Sequence, residues 1–258
     1  MLTLKIAFRN VFRQRRRSLL TGLSMTGGYI LFVFSYSLLE GSYSGIIDIF
    51  TLDNTGHIQI HKDDYLDRPK IYKSIQASTE LENYLSNHDE VLSFTPRVFS
   101  PALAYAGDKT VPSRVIGVDP TLEPKVTRLE EKVSDGKYFD TSPNADGYFQ
   151  SMIGKGVAIS LDLEIGDEII LISQGADGSI ANDIFSVSAV IGNRTSFDRM
   201  AVYLPLSAAQ EFLSLGNDLH EYAILVHDDK NNEKIARVLQ EQLPNLTVSP
   251  WQIVEATF

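Results

Sequence analysis

Histidine pairs, a dense run of carboxylates and two glycine–lysine steps are the parts of this sequence whose side chains could do chemistry. His57 and His61 stand four apart in "GHIQIHK". On a helix that spacing lets two imidazoles share one metal ion. Here Ile58 and Ile60 alternate with His57, Gln59 and His61, the pattern of a half-buried strand. At about 3.3 Å per residue the two rings are then ~13 Å apart, too far for one ion. His220 and His227, seven apart on a second predicted strand, point to opposite faces. Asp162, Glu164, Asp167 and Glu168 are dense enough for paired acid–base work. They alternate with Leu161, Leu163 and Ile165, so a solvated face is the plainer reading.

Phosphate chemistry fares no better. A Walker loop needs Gly-x-x-x-x-Gly-Lys-Ser/Thr, whose backbone amides cradle the phosphates. After Gly136-Lys137 and Gly154-Lys155 come Tyr138 and Gly156 instead of a hydroxyl residue, and Glu131 and Phe149 stand where the first glycine belongs. "GKGVAI" lacks the third glycine of a dinucleotide loop, and "GADGSIAND" lacks the spacing of a calcium loop and reads as a solvated hairpin. There is no Gly-x-Ser-x-Gly elbow. The chain has no cysteine, which removes thiolate catalysis and disulfides. The expectation is a binder or mover with no catalytic residue, cofactor or metal.

The elements that position the chain speak more clearly. Arg15, Arg16 and Arg17 run straight into an uncharged stretch, Ser18 to Leu39, of 22 residues. At ~1.5 Å per residue it spans about 33 Å, enough for a hydrocarbon core of ~30 Å. Apolar regions of signal peptides are shorter, ~7–15 residues, so a cleaved signal ending near Gly41 to Gly45 is the weaker reading. A buried core helix is the third. Lys5, Arg9, Arg13, Arg15, Arg16 and Arg17 precede the stretch with no acid among them. Glu40, Asp48 and Asp53 follow it, with no Lys or Arg before Lys62. The positive-inside rule then places the N-terminus in the cytoplasm, with Arg13, Arg15, Arg16 and Arg17 as the topology anchor. Leu4, Phe8, Val11 and Phe12 form one apolar face ahead of the span, as in a helix lying on the inner leaflet.

Ser18, Gly22 and Thr26 recur every four residues, and Ser24 and Gly28 form a second pair. Small residues at that spacing let another helix approach closely, which makes Gly22, Thr26 and Gly28 packing candidates. Glycine and serine are also common in membrane helices generally. Beyond Leu39 the helical spacing set by Tyr36 and Leu39 continues through Tyr43, Ile46, Ile47 and Phe50, so the helix projects as a stalk and ends near Leu52–Gly56.

The net charge is −10, and the first 17 residues carry six cations, so the remainder carries −16. Such a surface disfavours nucleic acid. The outer part reads as α+β: strand, helix and strand over 57–106, then strand, helix and strand again over 220–252. Between them lies a β-rich segment. The two flanking units are expected to form one sheet with both helices on one face.

Several ordered stretches resemble a known family: "AFRNVFRQRRRSLLTGLSM", "GHIQIH", "VIGVDPTLE", "GVAISLDLEIGDEIILIS", and "VYLPLSAAQEFLSL" followed by "HEYAILV". The chain is similar to permease subunits of FtsX-like ABC transporters, which include the lipoprotein-releasing LolC/LolE type and MacB-like pumps. The resemblance implies a cytoplasmic segment at 1–17, a transmembrane helix at 18–40 and a stalk at 41–54. It further implies a porter-like subdomain of two β-α-β units at 55–118 and 218–258, with an inserted, sabre-like β-rich subdomain at 119–217. Three further membrane helices follow in the family, so the chain is expected to be a member shortened after its outer domain. MacB-type pumps carry their ATPase ahead of the first helix. Only 17 residues precede it here, which implies a separate ABC ATPase subunit.

The implied partners are that ATPase, a second permease subunit (identical or not), membrane lipid, and a periplasmic carrier or outer-membrane channel. The implied place is a bacterial inner membrane with the main domain periplasmic. The implied work is releasing or exporting a lipoprotein, lipid or peptide by outward mechanical movement, transmitted through a stalk containing Ile46 and Ile47. Phe32, Phe34, Tyr36 and Tyr43 are candidates to line an apolar cleft, although helix packing explains them as well. A membrane-anchored binding or adaptor domain, and an FtsX-type regulator of a cell-wall hydrolase, are the rival readings. A membrane-tethered enzyme is a weaker one.

Overall fold

The computed structural model describes Arg9 and residues 13–255, except for the side chains of Tyr43, Ser44 and Ile46. The amphipathic stretch expected at 2–14 lies almost wholly outside the described residues. The chain forms two compact units, Met1–Ile49 and Phe50–Phe258.

The described part of the first unit is helical from Arg15 onward. Helix α1 (Arg15–Phe50) contains no proline and carries apolar residues all round. Leu19, Leu23, Leu31 and Leu39 are 61–69% exposed. A helix with apolar residues on every side requires lipid or other helices around it. Among the described residues, one helix is long and apolar enough to cross a membrane, from Arg15 to Thr55.

The second unit opens with a π-helical turn, Thr51–Thr55, closed by Gly56. Gly56 has φ 69°, and a Cβ there would press on the Ile224 carbonyl oxygen at 3.0 Å. Both demands select glycine. There follow β1 (Ile58–His61), β2 (Ile75–Gln76), α2 (Thr79–Ser86), the long strand β3 (Val91–Ala106) and β4 (Lys109–Val118). The middle of the chain gives α3 (Glu123–Val126), β5 (Val133–Gly136), β6 (Gln150–Gly154), α4 (Lys155–Leu161), β7 (Glu168–Gln174) and β8 (Ile180–Ile191). Then come β9 (Ala201–Pro205), α5 (Leu206–Phe212), β10 (Asp218–Leu219), β11 (Glu221–Val226), α6 (Asn232–Gln242), β12 (Thr247–Pro250) and α7 (Trp251–Glu255).

Among the described residues, ten strands make one sheet of two parts, while β2 and β10 form a separate ribbon. The first part is antiparallel, in the order β12-β1-β11-β3. In the second, β3, β4, β9, β6, β8 and β7 pair in turn, and β7 returns to β3. That closes a six-stranded barrel, with β5 attached to β8. The pairs β4–β9 and β6–β8 are parallel. Strand β3 is 16 residues long because it serves both parts. Pairing runs through position 118 without a break, and the segment 119–217 supplies β5 to β9.

One apolar cluster joins barrel residues such as Val98, Leu171, Phe185 and Leu204 to Ile58, Ile60, Leu85 and Leu239. A second joins Ile116, Met152, Ile191 and Tyr203 to Leu129 and Phe139. Strand β1 differs from the half-buried reading of its alternation: all four of its residues are buried. Ile58 and Ile60 join the core. On the opposite side Gln59 donates to Thr55 O at 3.1 Å. The helices α3 and α7 pack on this part of the sheet as well. Alternation marks two environments, and here neither is water.

Candidate functional site

A helix ends with carbonyls that have no partner within it. Neither α1 nor the π-turn has a basic residue in its last turn. The carbonyls are taken instead by donors remote in sequence. Leu52 O accepts from the Arg128 amide at 2.8 Å. Asp53 O accepts from Lys132 Nζ at 2.5 Å, and Asn54 O from Arg97 Nη1 at 2.6 Å. Cations at this end also complement the negative pole of the helix dipole.

Each cation is itself anchored. Arg97 donates through Nε and Nη2 to Glu123 at 3.1 and 2.6 Å, a two-pronged pair. Its Nη1 also meets Glu221 Oε1 at 3.0 Å. Arg97 on β3 and Glu221 on β11 are partners in the strand register, so backbone pairing places them. Thr127 Oγ1 donates to Glu123 at 2.7 Å, and His61 Nε2 lies 3.0 Å from Glu221 Oε2. Lys132 pairs with Asp198 at 2.7 Å, and Asp198 accepts from the Tyr203 hydroxyl at 3.0 Å. His61, Arg97, Glu123, Asp198 and Glu221 are all buried.

The electrostatics follow from this burial. Burial opposes the charge on Arg97, but Glu123 and Glu221 outweigh it and raise its pKa above the ordinary guanidinium value. Burial also pushes the Glu221 carboxyl up. The hydrogen bond from His61 and the charge of Arg97 outweigh it and hold the group below the usual carboxylate range. Burial, with Asp198 beside it, drives the Tyr203 phenol well above its ordinary value. Arg97 and Glu221 therefore stay ionised as a pair, and the Tyr203 phenol stays neutral.

Asp53, Asn54, Arg97, Glu123 and Tyr203 surround a cavity of about 10 Å³. That is room for one water at most. The arrangement holds a helix end; it leaves no space for a substrate.

The family model of the MacB-like periplasmic core domain matches residues 18–242. The chain belongs to this family. Its fold is similar to the extracellular domain of the noncanonic ABC-type transporter YknZ from Gram-positive bacteria, at 17% identity and TM-score 0.52, over 76% of this chain and 100% of that one. It is also similar to the periplasmic region of MacB from Actinobacillus actinomycetemcomitans, at 15% identity and TM-score 0.54, over 81% of this chain and 95% of that one. Curated protein sequences give no significant match. The expected kinship with FtsX-like and MacB-like permeases is met. The globular unit is the outer domain of an ABC-type transporter permease, in a mixed α/β fold preceded by an apolar helix. Such permeases work with a partner ATPase.

Within this MacB-like chain, the anchor, packing, lining and stalk residues expected from sequence lie on α1 or, for Arg13, just before it. Arg13, Arg15, Arg16 and Arg17 are exposed. A Cβ added at Gly22 or Gly28 would meet nothing within 4 Å, and Thr26 is exposed. Phe32 and Tyr36 stack with ring centroids 6.5 Å apart. Phe34, two residues from each, projects from a different side of the helix. The side chains of Tyr43 and Ile46 lie outside the described residues, and Ile47 is half-buried.

The network at the helix base consists of residues that belong to no motif in the sequence: Arg97, Glu123, Lys132, Asp198 and Glu221. One signal for them was present. Arg97 in "FTPRVF" and Glu221 in "HEYAILV" are lone charges of opposite sign inside apolar strands. Buried charges need partners, and strands provide them across the ladder.

Proposed function

We propose that the chain is the outer domain and first membrane helix of a permease that converts ATP hydrolysis in a separate subunit into movement outside the membrane. The cationic run at Arg13, Arg15, Arg16 and Arg17 supports a cytoplasmic N-terminus. Gly22, Thr26 and Gly28 would receive a neighbouring helix, from a second permease subunit or from the same one. The cargo is a lipoprotein, lipid or peptide, released or handed to a periplasmic carrier or outer-membrane channel without crossing the bilayer through this domain.

The observation that carries this reading is the anchorage of the helix base. A helix resists bending because its hydrogen bonds run along its axis, and it transmits force only if its end is held. Three carbonyls in succession, of Leu52, Asp53 and Asn54, are held, two of them by ion-paired cations. Charge-assisted bonds of this kind are short and strict in geometry. Arg97 ties the end to β3 and β11, and Lys132 ties it to Asp198, just ahead of β9.

The test softens the helix above its base. Replacing Ile46 and Ile47 by glycine in the intact transporter costs about 1 kcal/mol of helix stability per position and permits bending. ATP hydrolysis is expected to continue while export falls to background. Export retained at normal expression overturns the reading.

A further inference from the structure

Beside the helix base lies a stack of three rings. Tyr65, from the loop 62–74, is sandwiched between His61 and His220, at 5.4 Å and 14° on one side and 5.1 Å and 12° on the other. All three are buried. The stack touches the joint twice. His61 bonds Glu221, the carboxylate that also holds Arg97. His220 receives the Phe99 amide at Nδ1 at 3.0 Å, two residues along β3 from Arg97, and its own amide donates to Arg97 O at 2.9 Å.

The hydrogen bonds fix the protonation of His220. Nδ1 accepts from an amide and so carries no proton; Nε2, 3.0 Å from Ile71 O, must donate. Both nitrogens are committed, and the ring is neutral. A second proton could go only to Nδ1, where it would face the Phe99 N–H.

We propose that this stack makes the joint proton-sensitive: a proton taken up at His220 Nδ1 unseats β3 at Phe99 and loosens the hold of Arg97 on the helix base. The proposal rests on the helix base being a working joint. The step is an acid–base equilibrium with water and breaks no covalent bond.

The groups facing His220 set the sign. Glu221 adjoins it on β11, and Asp218 lies on β10 with Ser74 Oγ bonded to it at 2.6 Å. Tyr65 and Ile71 O face it from the loop 62–74, the Phe99 amide from β3, and His61 from β1 across Tyr65. Arg114 of β4 acts on the Tyr65 side of the stack. Burial lowers the imidazole below its ordinary range, more than the Ile71 bond, Glu221 and Asp218 raise it. The closed joint thus refuses a proton that an opened, solvated His220 accepts near pH ~6.5. Opening therefore grows as pH falls below that value, by up to about tenfold per unit, until the closed form also titrates.

The experiment is amide hydrogen exchange of the full chain in lipid nanodiscs at about pH 7.5 and about pH 5.5, corrected for intrinsic rates. Loss of protection by roughly tenfold is expected at Phe99 and across 51–56, with β4, β6, β7, β8 and β9 of the barrel unchanged. H220Q keeps an acceptor and a donor but does not titrate, and its protection at Phe99 should be flat between the two pH values. Protection that is flat in the wild type, or that falls equally in H220Q, overturns the proposal. If H220Q does not fold, the wild-type Phe99 profile decides alone. The readout involves no transport, so a joint without pH response would leave the functional reading standing. A transporter indifferent to I46G/I47G would leave the pH response intact.

Discussion

The four-stranded part of the sheet has two buried faces built from opposite materials. On one, Ile58, Ile60, Tyr222, Ile224 and Val248 meet Leu85 of α2 and Ile235 and Leu239 of α6. On the other, Gln59, His61, Arg97 and Glu221 lie under the π-turn, α3 and α7, tied by hydrogen bonds. The apolar face stabilises without direction: each fully buried side chain contributes about 1.5–3 kcal/mol, and neighbours can shift slightly at little cost. The polar face contributes little net stability, because desolvation offsets most of the attraction. Its bonds are directional, so they permit one placement of the helix base. The contrast separates what keeps the domain folded from what fixes the end of the helix.

The largest effect should come from breaking the polar face with one partner left behind. R97M keeps most of the side-chain volume but strands Glu123 and Glu221 in the interior. The expected loss is about 3–5 kcal/mol, read by equilibrium urea unfolding. Making all three positions apolar (R97M, E123L and E221L together) should recover most of that loss while still freeing Asn54 O. A triple variant as unstable as R97M alone would erase the distinction, since the network would then carry stability itself.

On the apolar face I60A should cost about 2–4 kcal/mol through lost burial and a residual cavity. It should leave hydrogen-exchange protection at the helix base as it was. Slackening of residues 51–56 in I60A, beyond the global loss, would show that the two faces are not separable.

This contrast also explains what could be read from sequence. The uncharged run from Ser18 to Leu39 and the cationic residues before it are local signals, and so is the turn at Leu52–Gly56. The helical patterns of α2 and α6 and the β3–β4 turn at Gly107 are equally local. The barrel was not legible. Its closure depends on β7 returning to β3, with Leu103 opposite Ile172, and on two parallel pairings that no adjacent turn dictates. Strands of four and five residues such as β5 and β6 carry too few alternations to announce themselves. The helix-base network failed to show for a related reason. Glu123 and Glu221 are separated by 26 and 124 positions from Arg97, so only the fold brings them together. The alternation in β1 was visible, but a covered polar face and a wet one have the same pattern.

The smallest effect would sharpen the contrast most. Ala223 stands between Gln59 and Thr95 in the strand register. Thr95 is fully buried, yet neither its Oγ1 nor Gln59 Oε1 has a hydrogen-bond partner among the described residues. A buried hydroxyl without a partner is a cost, and valine has the same shape without it. T95V should therefore be neutral or stabilising by up to about 1 kcal/mol in the same urea unfolding, although the same change at a bonded hydroxyl destabilises. That outcome would leave the bond from Gln59 Nε2 to Thr55 O as the one directional contact of this row, beside the charged row of Arg97 and Glu221. A loss of about 1 kcal/mol or more would instead mean that a water bridges Thr95 to Gln59, and that the bonded surface of this row reaches from Gln59 to Thr95.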